Sequence, residues 1–251
     1  MAPDHDISTG GAGGRFPATQ YSAIMALRSG DQKERERALE TVATVYWRPI
    51  YTHIRLRWKR ETEEARDLTQ GFFMQVLEKD FFATFDPQRA RFRTFLRVCL
   101  DRFIQREDAS SARQKRGGGV DHIPLDLVEI EKSLSGSATY PSPEDGFDRE
   151  WVRSLLSLAT IRLRAYCEES HRGMAYRAFE RYDLDPSDSS ARPTYATLAA
   201  ELGTTSDDIT NQLAFARREF RRIVLGLLRE MTSSEEEFRD EARTLLGIDV
   251  T

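Results

Sequence analysis

The sequence predicts an all-α protein built as two small helical domains joined by an acidic linker. Three observations lead there. Apolar residues recur at helical spacing through most of the chain from Ala18 onward, no stretch sustains strand-type alternation, and an acidic segment holding Gly and Pro interrupts the pattern between residues 117 and 150. The 251 residues suffice for one large domain or two small ones. A composition of 39% hydrophobic and 31% charged residues suits amphipathic helices better than one large buried sheet.

The elements follow in order. Residues 1–17 are Gly-rich and polar and are read as a disordered N-terminal segment, with neither the basic flank nor the apolar run of a signal peptide. The first domain, 18–116, carries three apolar stripes. Ala38, Leu39, Val42, Val45, Tyr46, Ile50 and Ile54 form one, with Pro49 expected to bend or restart it. Leu68, Phe72, Phe73, Val76 and Leu77 form the second. Phe92, Phe95, Leu96, Cys99, Leu100, Phe103 and Ile104 form the third, set off by Pro87.

At Gly117-Gly118-Gly119 the pattern stops, which reads as a helix stop or hinge. Residues 117–150 hold eight acidic residues against Lys132 and Arg149 and are taken as the acidic linker. Its apolar patch of Ile123, Leu125, Leu127, Val128 and Ile130 can dock on a neighbour. The second domain, 151–230, resumes with Trp151, Leu155, Leu158, Ile161, Leu163 and Cys167. A helical stretch from Gly173 to Tyr182 follows, then a polar loop with Pro186 and Pro193. Residues 231–251 form an acidic C-terminal extension whose helix starts with capping-box spacing, Ser233 to Glu236 or Ser234 to Glu237.

Several chemistries find no support. The four histidines are scattered, and the two cysteines form no CxxC pair, so no metal site is expected. Neither GxxxxGK[ST] nor GxSxG occurs, nor GxGxxG after a strand, and no enzymatic activity or cofactor is expected. No window carries the apolar length of a membrane span. Cys99 and Cys167 are read as buried free thiols, and the expected compartment is the cytoplasm.

Two segments point instead to nucleic acid. From Tyr195 to Leu213 the sequence has helix-turn-helix grammar: Leu198, Ala199 and Leu202 on an inner face, Gly203 at the turn, and Thr205 or Ser206 as cap of a second helix. Ile209, Leu213, Ala216, Phe220 and Leu227 share one face of that helix. Asn211, Ala214, Arg218 and Arg222 point the other way, with Arg217 and Arg221 on the flank. Amide and guanidinium groups so placed can read base edges in a major groove. A plain helical hairpin with a solvated face has the same pattern, and Asp207 and Asp208 would repel phosphates near the helix start.

The other segment, residues 86–116, has nine basic residues against four acidic ones, a local charge of +5, interleaved with and preceded by phenylalanines. Basic groups beside rings suit unstacked single-stranded bases. Phe95 and Phe103 fall in the apolar stripe and are assigned to the core; Phe85, in the loop, stays open.

With both segments in view, the chain resembles the extracytoplasmic-function sigma factors of bacterial RNA polymerase over roughly residues 18–230. The matching stretches are Glu64-Ala65-Arg66-Asp67-Leu68-Thr69-Gln70-Gly71-Phe72-Phe73, Phe92-Arg93-Thr94-Phe95-Leu96, and Tyr195 to Gly203 with the arginine-rich helix after it. The resemblance implies a sigma region 2 domain at 18–116 and a region 4 domain at 151–230. It implies that Asp67, Leu68, Gln70, Phe72 and Phe73 bind the β′ coiled coil of core polymerase. Phe85, Arg89, Arg91, Arg93, Arg97, Arg102 and Arg106 would capture the −10 element. Thr205, Ser206, Thr210, Asn211, Arg217, Arg218 and Arg222 would read the −35 element. The implied partners are the β′ and β subunits of RNA polymerase core and promoter DNA, with room for an anti-sigma or other regulatory protein.

The match has departures. Val98-Cys99-Leu100-Asp101-Arg102-Phe103 replaces the usual Ala-Arg-Asn run, and Thr210 stands where a basic residue is usual. Residues His171 to Pro193 and the acidic extension are additional. Read from the residues alone, Asp67 is a helix cap or surface charge, and one of the adjacent Phe72 and Phe73 is a candidate for a partner surface. An autonomous helix-turn-helix regulator is the alternative function. A third reading has the tail, Glu235 to Glu241, covering the Arg217–Arg222 patch.

Overall fold

A computed structural model describes residues 23–27, 31–77, 81–111, 127–135, 140–185 and 192–250. The readings of residues 1–17, Gly117–Gly119, Ile123 and Leu125 lie outside the described residues. Among those described, all regular structure is helical: α1 (Ala23–Ala26), α2 (Gln32–Arg57), α3 (Thr62–Leu77), a 3-10 turn (Phe81–Thr84), α4 (Phe92–Ser111), α5 (Leu127–Ser135), α6 (Pro143–Glu169), α7 (Gly173–Phe179), a π-helical turn (Glu180–Leu184), α8 (Tyr195–Leu202), α9 (Ser206–Glu230) and α10 (Glu235–Leu246).

Asp31 starts α2 by accepting from the backbone N–H groups of Lys33 and Glu34. The helix then runs through Pro49 without a restart. The reason is tertiary. Val45, Tyr46, Ile50, Tyr51 and Ile54 around the proline are all buried, and α2 packs along α6, so burial outweighs the lost backbone bond of about 3 kcal/mol.

The stretch read as a linker is structured where it is described. Ser142 caps α6, its Oγ accepting from the Asp145 N–H at 3.0 Å. Pro143 follows, with Glu144 and Asp145 in the first turn. A serine cap, a leading proline and early carboxylates are how a helix begins, so the composition that suggested a connector marks a start. Phe147 and Glu150 are fully buried. The α5 carboxylates also find partners on α2: Glu129 with Arg48 at 2.9 Å and Glu131 with Arg55 at 2.9 Å. Ile130 between them is buried, so the apolar patch docks in part as expected.

Two groups of buried side chains hold the fold. The larger joins α1 to α5 with Phe147, Trp151, Leu155 and Ala159 of α6, the C-terminal half of α9, and Phe238 and Ala242 of α10. The smaller joins Leu163 and Cys167 of α6 with α7, α8 and the N-terminal half of α9. Helix α6 passes through both. Its buried stripe runs Trp151, Leu155, Ala159, Leu163, Cys167, four residues at a time. Ile161 falls off that stripe and stands 62% exposed, a correction to its assignment. Cys167 is buried as expected, whereas Cys99 is half-buried; both are free thiols.

A polar node built on the buried His53 ties α2 to α4. His53 Nε2 meets Asp101 Oδ1 at 3.1 Å, Trp58 Nε1 donates to the same oxygen at 2.8 Å, and Arg57 pairs with the other at 3.3 Å. Burial lowers the His53 pKa, and Asp101 opposes that shift.

Candidate nucleic-acid interface

Helices α8 and α9 are joined by a tight turn at residues 203–205 and pack on each other. Thr194 caps α8 by accepting from Thr197 N–H at 3.1 Å. Gly203 ends it at φ 67° and ψ 38°, and Thr204 N–H closes back on Ala199 O at 2.9 Å. That left-handed cap needs glycine, as the sequence indicated. Thr205 then caps α9, accepting from Asp208 N–H at 3.2 Å.

The Asp208 carboxylate has a structural role at the turn. It accepts from Thr204 Oγ1 at 2.8 Å and Gln212 Nε2 at 3.2 Å, and so locks the turn. Along α9, Asp207, Thr210, Asn211, Ala214, Arg218 and Arg221 are exposed at spacings that share one face. Ser206 is exposed beside them, its carbonyl accepting from Thr210 Oγ1 at 3.0 Å. Arg222 borders this stripe; it pairs with Glu219 at 2.7 Å and lies over Tyr166 at 5.3 Å.

Arg217 is paired within the chain. Its guanidinium grips Asp183 through two hydrogen bonds, at 2.9 and 3.0 Å, and lies over Tyr182. The Asp183 bond raises its pKa further. Arg221, assigned to the flank from sequence, takes a place in the outward stripe.

The basic segment sorts its residues in three ways. Phe85 is 3% exposed, with Phe92 and Phe95 rings at 5.3 and 5.1 Å from its own, so no base can stack on it as it stands. Phe103 is buried as expected and Phe95 packs half-buried. Arg93 and Arg97 turn inward, over the Trp151 and Phe147 rings of α6 at 5.3 and 5.5 Å. The register explains it: Arg93, Arg97, Leu100 and Ile104 follow one face of α4, the face that meets the core. Arg91 is drawn to α10. Arg89, 87% exposed, and the pair Arg102 and Arg106 face solvent.

Arg102 and Arg106 rim a groove of ≈ 590 Å³ between α3, the 3-10 turn and α4, floored by Phe81 and Cys99 and flanked by Gln75 and Gln105. Arg106 Nη2 donates to Gln75 Oε1 at 3.1 Å, while Arg102 has no ion pair among the described residues. Gln75 and Gln105 were not singled out from sequence; their signal is one-turn spacing to already chosen residues, with Gln105 three after Arg102. Amide and guanidinium donors above an apolar floor can hold an unstacked base by its edge and its face.

On α3, Asp67 is exposed, and Leu68 and Gln70 are half-buried. Phe72 and Phe73 are both buried, a correction to the idea that one faces a partner. Helix α3 lies between two neighbours: Phe73 stacks on Trp47 of α2 at 5.8 Å, and Phe72 meets Phe103 of α4 at 5.7 Å. The exposed apolar side chain is Met74, 51% exposed and seven residues after Asp67 on the same face.

The tail takes a different course from the one expected. Ser234 caps α10, accepting from Glu237 N–H, and the Glu237 carboxylate accepts from Ser233 N–H at 2.7 Å. Glu235 pairs with Arg229, while Asp240 and Glu241 pair with Arg91. The tail therefore reaches α4 and leaves Arg217 to Arg222 with Asp183 and Glu219. Burial of Phe238 and Ala242 against the larger core sets that direction. Comparison with family models, curated proteins and solved structures finds no match.

Proposed function

We propose that the chain is a sigma factor: a promoter-specificity subunit that binds RNA polymerase core and directs it to a set of promoters. The reading is carried by one observation, that two surfaces of unlike chemistry occur on one helical chain. The α9 stripe of Asn211, Ala214, Arg218 and Arg221 has what major-groove duplex readout requires. The α4 groove, with Arg102, Gln105 and Arg106 over Phe81, has what unstacked bases require. A regulator that only docks on duplex DNA needs the first and has no use for the second.

Promoter opening needs both. Separating a duplex costs about 1.4 kcal/mol per base-pair step, so the freed bases must be held by contacts that the duplex cannot make. In this proposal α9 fixes the −35 duplex and the α4 groove holds −10 bases. The exposed Asp67–Met74 face of α3 meets the polymerase β′ subunit. The test adds the purified chain to core polymerase and maps transcription start sites. The expected result is new, promoter-specific starts that disappear with Arg102→Ala and Gln105→Ala together. If core polymerase neither retains the chain nor gains selectivity, while the chain alone shifts a palindromic duplex, it is an autonomous helix-turn-helix regulator instead.

A further inference from the structure

Helix α10 lies on the N-terminal turn of α4 through charges some 150 residues apart in sequence. Arg91 contacts Asp240, and its Nη1 reaches Glu241 Oε1 at 3.1 Å. Arg93 Nη2 donates to the same Glu241 oxygen at 2.8 Å. The two contacts differ in kind. Side-chain exposure is 10% for Arg93 and 4% for Glu241, so that pair is sealed beneath α10. It is 43% for both Arg91 and Asp240, which stand in solvent. Phe238 and Ala242, buried on the same helix, hold α10 in place whether or not the outer pair is made.

An arginine fork that grips a carboxylate can grip a phosphate with the same donors. An exposed ion pair is also worth little, so the exchange is cheap. We propose that α10 is an internal strap on the nucleic-acid surface of α4: Asp240 occupies Arg91 in the free chain and gives it up to a DNA phosphate, while Glu241 stays on Arg93 as the anchor. The inference rests on the reading that α4 binds nucleic acid, and it adds that the C-terminal extension weakens that binding until DNA displaces one carboxylate. The strap thus sets a threshold on α4, and it spares the α9 stripe, whose arginines it does not touch.

The test uses the full chain and a fluorescent single-stranded DNA of about 12 nucleotides, titrated at several salt concentrations. All the altered side chains are exposed. Asp240→Asn is expected to bind about threefold tighter than wild type, the size set by release of one exposed ion pair. Its log affinity should fall with log salt about as steeply as wild type's, because both complexes neutralise the same phosphates. In an Arg91→Ala background the gain should vanish. Glu236→Gln, which removes the same charge from α10 outside the Arg91 pair, should change nothing. The strap is overturned if Asp240→Asn binds as wild type does, or if its gain survives Arg91→Ala. In either of those cases Arg102→Ala separates the two ideas: weakened binding leaves the α4 reading standing without the strap, and unchanged binding removes both.

Discussion

Replacing Glu150 by glutamine keeps the shape of the side chain and removes one charge from the middle of the fold. The carboxylate is 1% exposed and takes three donors: Arg48 Nε on Oε2 at 2.9 Å, and Arg153 Nη1 and the Tyr140 hydroxyl on Oε1 at 2.9 and 3.1 Å. Glutamine has one oxygen, so in either orientation at least one guanidinium faces an amide N–H₂. Breaking a buried ion pair costs about 3–5 kcal/mol. Arg48 is 17% exposed and keeps Glu129 at 2.9 Å, which places the loss near the lower end, about 3 kcal/mol. For a chain of this size that is a fall in Tm of roughly 6–12 °C. Guanidinium titration followed by the fluorescence of Trp47, Trp58 and Trp151 measures it, with an unchanged slope if the end states are the same. Glu129→Gln, at a residue whose side chain is 56% exposed, is the control and should cost less than about 1 kcal/mol. A Glu150→Gln loss no larger than the control's would refute the claim that this carboxylate organises the packing of α2 on α6.

Two further predictions follow from the same structure. Gly203→Ala should cost about 1–2 kcal/mol purely through its φ of +67°, since an added Cβ meets nothing within 4 Å; an unfolding titration showing no loss would remove the left-handed cap. His53 has its pKa lowered by burial below the ordinary 6.5, so the unfolded chain binds its proton first as pH falls. That contribution to stability is complete above the unfolded value and is lost as pH drops from there toward the folded one, by at most about 1.4 kcal/mol per pH unit. His53→Gln should flatten the stability–pH profile just below about pH 6.5, and an identical slope in both proteins would contradict it.

Helices α8 and α9 and the turn between them were legible in the sequence because their signals are local. Gly203, Thr205 and the Leu198–Ala199 face depend on residues within a few positions of one another. The same holds for the stripes of α2 to α4. What stayed hidden depends on partners far along the chain. Nothing within residues 86–116 says that α10 will take Arg91, although the spacing of Arg93 and Arg97 from Leu100 and Ile104 does hint at their inward turn. Residues 141–150 misled differently: counting acids and prolines suggested a connector, whereas their order, Ser142-Pro143-Glu144-Asp145, is that of a helix start. The buried pair Phe72 and Phe73 shows the same limit, since a helix with neighbours on two sides can bury adjacent rings.

Helix α6 has 27 residues, which at 1.5 Å each make a rod of ~40 Å. Its first half is set in one group of buried side chains and its second half in the other, so it works as a ruler between the α4 groove and the α9 stripe. A ruler of this kind is graduated in helical steps. One residue inserted near Thr160 would lengthen it by about 1.5 Å and turn everything beyond it by roughly 100°. Any pair of sites that the two surfaces engage together is therefore matched in angle as well as in distance, and a change of span must come as whole turns or be absorbed by the partner.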